Sequence, residues 1–218
     1  MEFAEYFPIW NKLTPLQQSR LQQAAFTRNV PAGMVLHNGG ADCMGLVIVR
    51  SGRLRSYILS EEGREITIYR MFERDMCLFS ASCMIKNMQF DVTVEAERDS
   101  QVWIIPSYMY KELVEESLPM ANYINDIMAS HFSEVMWLME QIMWKSFDKR
   151  LAAFLLEESN LEETDKLTIT HEKIANHLGT AREVVTRMLR YFHSEGLVNL
   201  SRGTVEITDR EGLEDLSE

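Results

Sequence analysis

Arg182, Glu183, Thr186, Arg187 and Arg190 are separated by one, three, one and three residues, a spacing that gathers them on one face of a helix. Their shared chemistry is recognition, with no bond making in it. Arg182 and Arg187 can each donate two parallel hydrogen bonds to the O6 and N7 acceptors of guanine, and Glu183 can accept from the N4 amine of cytosine. Thr186 offers a hydroxyl and a methyl group about one turn from Glu183. Arg190, further along, suits a backbone phosphate. A well-formed bidentate contact discriminates between bases by roughly 1–3 kcal/mol. Nothing in the chain has the spacing of a catalytic set or of a metal site.

The elements that would position these groups are legible around them. Ile174, Ala175 and Leu178 form the inner stripe of one helix, and Val184, Val185, Met188, Leu189 and Phe192 that of the next. Both stripes follow the three-and-four spacing of amphipathic helices. Thr170 is placed to cap the first helix, and Gly179 ends it where a left-handed conformation costs least. Thr180 follows in the turn and joins the candidate contact set. Two helices joined by a short glycine turn form a helix-turn-helix. From Leu197 to Thr208 the chain alternates about Gly203, which predicts a two-stranded wing.

Composition bounds the partners. The chain has 218 residues, 46 % of them hydrophobic and 25 % charged, enough for one large or two modest domains. Its net charge of −11 seems at odds with a polyanionic partner until it is counted locally. Residues 180–193 hold three arginines against one glutamate, while acids cluster at 157–165 and 211–218. The field that matters is that of the docking face. No apolar run reaches membrane-spanning length and no export signal is visible, so the expected compartment is the cytoplasm. There Cys43, Cys77 and Cys83 are expected as thiols.

Three zones precede the reader module. Short β-like runs from about Asn29 to Ile105, among them 45–59 hinged on Ser51-Gly52, predict a sandwich or jelly-roll barrel. The first two dozen residues read as short helices packed on it. From Pro119 to Glu158 no internal proline or glycine occurs, and Ile124, Met128, His131, Val135, Leu138 and Ile142 recur as a heptad seam. A second stripe, Phe132, Met136, Met139 and Met143, runs beside it. Two stripes predict a helix that pairs with a second copy, presenting two recognition helices to half-sites about 34 Å apart. The fold class is thus α+β, with a sensing domain over 1–117, a dimerisation helix over 118–146 and a winged helix-turn-helix over 147–218.

A β-roll, a long helix and a C-terminal winged helix-turn-helix, in that order, resemble the Crp/Fnr family of bacterial transcription regulators. The stretch Ile174-Ala-Asn-His-Leu-Gly-Thr-Ala-Arg-Glu-Val-Val-Thr-Arg-Met-Leu carries most of the likeness, and 45–52 supports it. The resemblance implies a homodimer on a palindromic operator with TGA-like half-site cores, base readers at Arg182, Glu183, Thr186 and Arg187, RNA polymerase as a partner, and a small-molecule effector in a cyclic-nucleotide-binding-like domain. Cyclic-nucleotide binders of the family carry an arginine for the cyclic phosphate. Here Phe90 and Asp91 fill that place. A phosphate facing a phenyl ring and a carboxylate would lose its hydration without compensation, which argues against cyclic AMP.

What the roll holds instead stays open on sequence. An apolar or aromatic effector fits the methionine- and aromatic-rich run Met71, Phe72, Met76, Leu78, Phe79, Met84, Met88 and Phe90; the candidate pocket is Leu78, Phe79, Met84, Phe90, Tyr69 and His131. A thiol sensor through Cys77 and Cys83 is the alternative. A haem or iron–sulfur centre lacks ligand spacing, since His37, Cys77 and His131 are isolated and no cysteine precedes Cys43. A cupin-like metal enzyme would need clustered histidines, and the barrel segment contains His37 alone. A protein–protein scaffold would bind random and operator-like DNA equally weakly.

Overall fold

Alternation and its local failure explain the N-terminal half. The computed structural model describes residues 3–39, 44–84 and 91–218, and side chains at all of these except 82–84. Two short 3-10 turns, Phe3–Tyr6 and Trp10–Lys12, lead into helix α1, Pro15–Ala24. That helix starts where Thr14 and Gln17 cap each other's backbone N–H groups and Pro15 presets the first turn. Strands β1 Phe26–Val30, β2 Val35–Asn38, β3 Leu46–Ser51, β4 Leu54–Leu59, β5 Glu65–Met71, β6 Met76–Cys77, β7 Thr93–Ala96 and β8 Ser100–Ile105 follow. They form two four-stranded sheets, ordered β1-β8-β3-β6 and β2-β7-β4-β5, as expected for a roll.

Strand β3 does not alternate because both of its faces are covered. Val47 and Val49 enter the interior of the roll with Leu54, Met71 and Val102, whereas Leu46 and Ile48 pack against Phe7, Leu21 and Leu113 in a helical layer outside it. Its hairpin to β4 turns on Gly52, where φ is +91° and a Cβ would fall on Ser100.

Helix α2, Ser107–Glu116, adds Met109, Tyr110 and Leu113 to the layer outside the roll. Helix α3, Leu118–Trp144, has 27 residues and so spans about 40 Å. Neither glycine nor proline ends it. Ser146 takes extended backbone and starts α4, Phe147–Glu162, whose first turn carries Asp148. The Asp148 carboxyl is held below its ordinary pKa, chiefly by a hydrogen bond from Ser146. Residues up to Leu59 with Ile68–Val135 make one compact unit, and Ser60–Thr67 with Met136–Glu218 a second.

In the second unit, β9 Lys166–Leu167, α5 His171–Leu178, α6 Arg182–Ser194, β10 Val198–Ser201, β11 Thr204–Ile207 and α7 Arg210–Ser217 follow α4. The hairpin has a third strand that the sequence reading did not foresee: β9 pairs with β11 through Leu167 and Val205. Two residues are too short a run for alternation to register. Helix α7, also unforeseen, is capped by Asp209, which accepts from the Gly212 N–H at 2.9 Å, and it buries Leu213 in the same core. No helix of the chain, among the described residues, is long and apolar enough to cross a membrane.

Candidate nucleic-acid interface

The helix-turn-helix is held by its own core. Ile174 and Ala175 of α5 and Val185, Leu189 and Phe192 of α6 are buried together, with Leu178 and Met188 at the margin. Val184 stands apart from this cluster, half-exposed at the start of α6. One residue before Val185 it is rotated about 100° off the buried stripe. Thr170 caps α5 by accepting from the Lys173 N–H at 3.1 Å. Gly179 takes φ +67° and ψ +38°, and the Thr180 N–H bonds back to the Ala175 carbonyl at 3.1 Å. That glycine conformation turns the chain into α6 at little strain.

Away from the core, α6 presents Arg182, Glu183, Arg187 and Arg190, all exposed, with Thr186 half-exposed among them. At 3.6 residues per turn these five cover an arc of about 140°, opposite Val185, Leu189 and Phe192. The arrangement can donate paired hydrogen bonds and accept one, but it has no group poised for covalent chemistry. Arg202 is exposed at the turn of the β10–β11 hairpin beside Gly203. The sequence reading passed over it, although an arginine at a wing tip is a ready phosphate contact.

Thr186 departs from its expected role. Its hydroxyl donates to the Arg182 carbonyl at 2.9 Å and also faces Nδ1 of His171 at 2.9 Å. The proton and one lone pair are therefore committed within the protein, and the methyl group and the second lone pair are what remain for a partner. His171, the first residue of α5, was likewise missed. Its pKa lies below the ordinary histidine value because of burial and the nearby guanidinium groups of Arg182 and Arg190.

The candidate effector residues of the roll are only partly brought together. Tyr69 stacks on Phe79, with ring centroids 5.8 Å apart, and on His131, at 4.2 Å and 10° between planes. The His131 Nδ1 in turn meets Glu134 at 2.9 Å. The Tyr69 phenol is raised well above its usual pKa, first by burial and then by the neighbouring Cys77. Leu78 is a correction. It packs in the outer helical layer with Met76 and Met109, because the chain alternates past Cys77, which points inward. Phe90 lies outside the described residues, as does the side chain of Met84. The buried arginines of the roll are tied to carboxylates: Arg53 and Arg70 to Glu97, each at 3.0 Å, and Arg55 to Glu95 at 2.9 Å.

Helix α3 also differs from the expected seam. Ile124 packs on the helical layer of the roll and His131 on Tyr69, so these two seam positions face their own subunit. The exposed apolar face keeps Met128 and Ile142 of that seam and is otherwise the second stripe, Phe132, Met136, Met139 and Met143, joined by Trp137 and Trp144. Phe132 is 66 % exposed and Trp144 78 %. Of the cysteines, Cys77 is fully buried, and burial pushes its thiol up to about 11. Cys43 and the side chain of Cys83 lie outside the described residues. Among those residues no three His, Cys, Asp or Glu side chains are grouped to hold a metal ion.

Comparison with known proteins agrees with this architecture. Residues 27–117 match a cyclic nucleotide-binding domain and residues 149–216 a Crp-like helix-turn-helix domain. A crystal structure from Eubacterium rectale, described as a transcriptional regulator of the Crp/Fnr family, superposes with a TM-score of 0.96 at 58 % identity, over 98 % of this chain and 99 % of that one. The fumarate and nitrate reduction regulatory protein of Yersinia pestis is 27 % identical over 86 % of this chain and 77 % of its own length. A Thermus thermophilus Crp/Fnr regulator shares the fold, with a TM-score of 0.71 at 22 % identity over 88 % of this chain and 98 % of that one. With the roll, the long helix and the arginine-faced reader helix in that order, the chain belongs to the Crp/Fnr family of DNA-binding transcriptional regulators.

Proposed function

We propose that this regulator works in the cytoplasm as a homodimer on a palindromic operator, switched by a small molecule other than a cyclic nucleotide and acting on RNA polymerase. The observation that carries the operator reading is the face of α6. Arg182, Glu183 and Arg187 read base edges, Thr186 supplies its methyl group, and Arg190, Thr180 and Arg202 hold phosphates. Pairing through Met128, Phe132, Met136, Met139 and Met143 is supported by the apolar surface these residues leave uncovered in one subunit. A two-fold axis there gives each half-site its own α6.

For the effector, the stack of Phe79, Tyr69 and His131 against α3 favours a flat, weakly polar molecule. The buried arginines Arg53, Arg55 and Arg70 already have carboxylate partners, and Asp91 would oppose a phosphate. An effector bound at His131 would act by favouring one arrangement of the paired helices. Selection from randomised duplexes, read together with the mass of the complex, tests the operator reading. An inverted repeat bound by two subunits is expected; sequence-independent binding by one subunit overturns it. Native mass spectrometry of the purified protein tests the effector: a retained cyclic nucleotide would refute that part.

A further inference from the structure

We propose that His171 is a DNA-phosphate contact that works only when doubly protonated, so that operator binding is coupled to proton uptake at each subunit. The proposal rests on the reading that the arginine face of α6 meets DNA.

The argument is one of proton accounting. The Thr186 hydroxyl has a single proton, and its 2.9 Å bond to the Arg182 carbonyl uses it. The contact between Thr186 Oγ1 and His171 Nδ1, also 2.9 Å, must therefore run the other way, with Nδ1–H donating. This assignment comes from the hydrogen-bond network and fixes the tautomer. Only Nε2 is left for a partner. In the neutral ring it carries a lone pair and is an acceptor, and an ionised phosphate oxygen has no proton to donate to it. In the imidazolium it carries an N–H, which donates to phosphate with a full positive charge behind it.

The surroundings set the direction of the linkage. Partial burial disfavours the charged ring, and Arg182 and Arg190 on α6 add their like charges to that effect, so the free protein holds His171 below its ordinary pKa of 6.5. On its own helix Glu172 and Lys173 follow it. Near pH 7 the ring is thus mainly neutral before DNA arrives. Docking brings a phosphate to Arg190 and the O6 and N7 acceptors of a base to Arg182, which offsets their repulsion, and it adds a phosphate acceptor for Nε2. The pKa of the complex then exceeds that of the free protein. The extra affinity is complete below the free pKa and is lost as pH rises through that of the complex. A rise of about one unit would weaken binding about tenfold per subunit from the acid to the alkaline limit.

The test measures affinity for the selected duplex from pH 5.5 to 8.5 at fixed ionic strength, for the wild type, His171→Gln and His171→Arg, with calorimetry of the wild type in two buffers of different ionisation enthalpy. Weakening with rising pH in the wild type, a flattened profile in both variants, and net proton uptake that peaks at about half a proton per subunit for a one-unit rise are expected. The calorimetric arm needs no variant, so a misfolded substitution does not remove the test. An unchanged pH slope in His171→Gln, or no proton uptake by the wild type, overturns the proposal. Arg187→Ala separates the two readings: if it binds the selected duplex like the wild type, the α6 interface itself is wrong, whereas weakened Arg187→Ala binding with a pH-independent wild type faults His171 alone.

Discussion

Replacing Phe132 tests the pairing of subunits most directly. The side chain is 66 % exposed in one subunit, and a phenylalanine presents about 200 Å². About 130 Å² is therefore available for burial, worth about 3 kcal/mol at roughly 25 cal/mol per Å². Truncation to alanine keeps about a third of that value, because the remaining methyl group still covers part of the patch. Phe132 occurs once in each partner, so Phe132→Ala should weaken the dimer by about 4 kcal/mol, roughly a thousandfold in its dissociation constant. Phe132→Asp should weaken it further, because a carboxylate would be pressed into a face of methionines. Sedimentation velocity across the micromolar range reads both. The wild type should run as a dimer and Phe132→Asp as a monomer with unchanged far-UV circular dichroism. A Phe132→Asp protein that remains dimeric at wild-type concentrations would show that this face is not the interface.

Other changes probe the remaining parts. Leu189→Ala opens a cavity in the fully buried contact between α5 and α6, so a loss of about 2–5 kcal/mol is expected; an unchanged melting temperature would contradict the packing. Arg187→Ala should cost about 1–3 kcal/mol on the preferred duplex and relax preference at one base pair, and a repeat of the selection would reveal an unaltered preference if that role is wrong. Cys77 should resist alkylation in the native protein at neutral pH, because burial keeps its thiol protonated up to about 11. Mass-resolved labelling that finds Cys77 modified as fast as a free thiol would restore a redox role.

How much of this was legible in the sequence differs from element to element for physical reasons. The reader module was legible because its signals are local. The Thr170 cap, the Gly179 turn and the three-and-four spacing of Ile174, Ala175, Val185, Leu189 and Phe192 all fall within two dozen residues. The roll was legible as a class of fold, although β3 shows where pattern fails. Its unbroken burial reflects a second apolar layer of α1 and α2, which no strand period can announce.

On α3 the sequence carries two neighbouring apolar stripes, and helical spacing describes both equally well. What decides between them is tertiary. Tyr69 and Phe79 stand in the roll where His131 can stack, so the His131 side of α3 turns inward and Phe132, one residue on, turns out. The same limit applies to Thr186, whose side chain has the right place on α6 for a base edge. Its hydroxyl is claimed by a carbonyl four residues back and by a histidine fifteen residues back. A polar side chain is available to a partner only after the protein's own donors and acceptors have been satisfied. A histidine directly after the capping threonine was the one visible sign of that competition. Crossing the Gly179 turn brings the start of α5 alongside the middle of α6, so the residue that governs the hydroxyl of a base-reading position sits on the other helix.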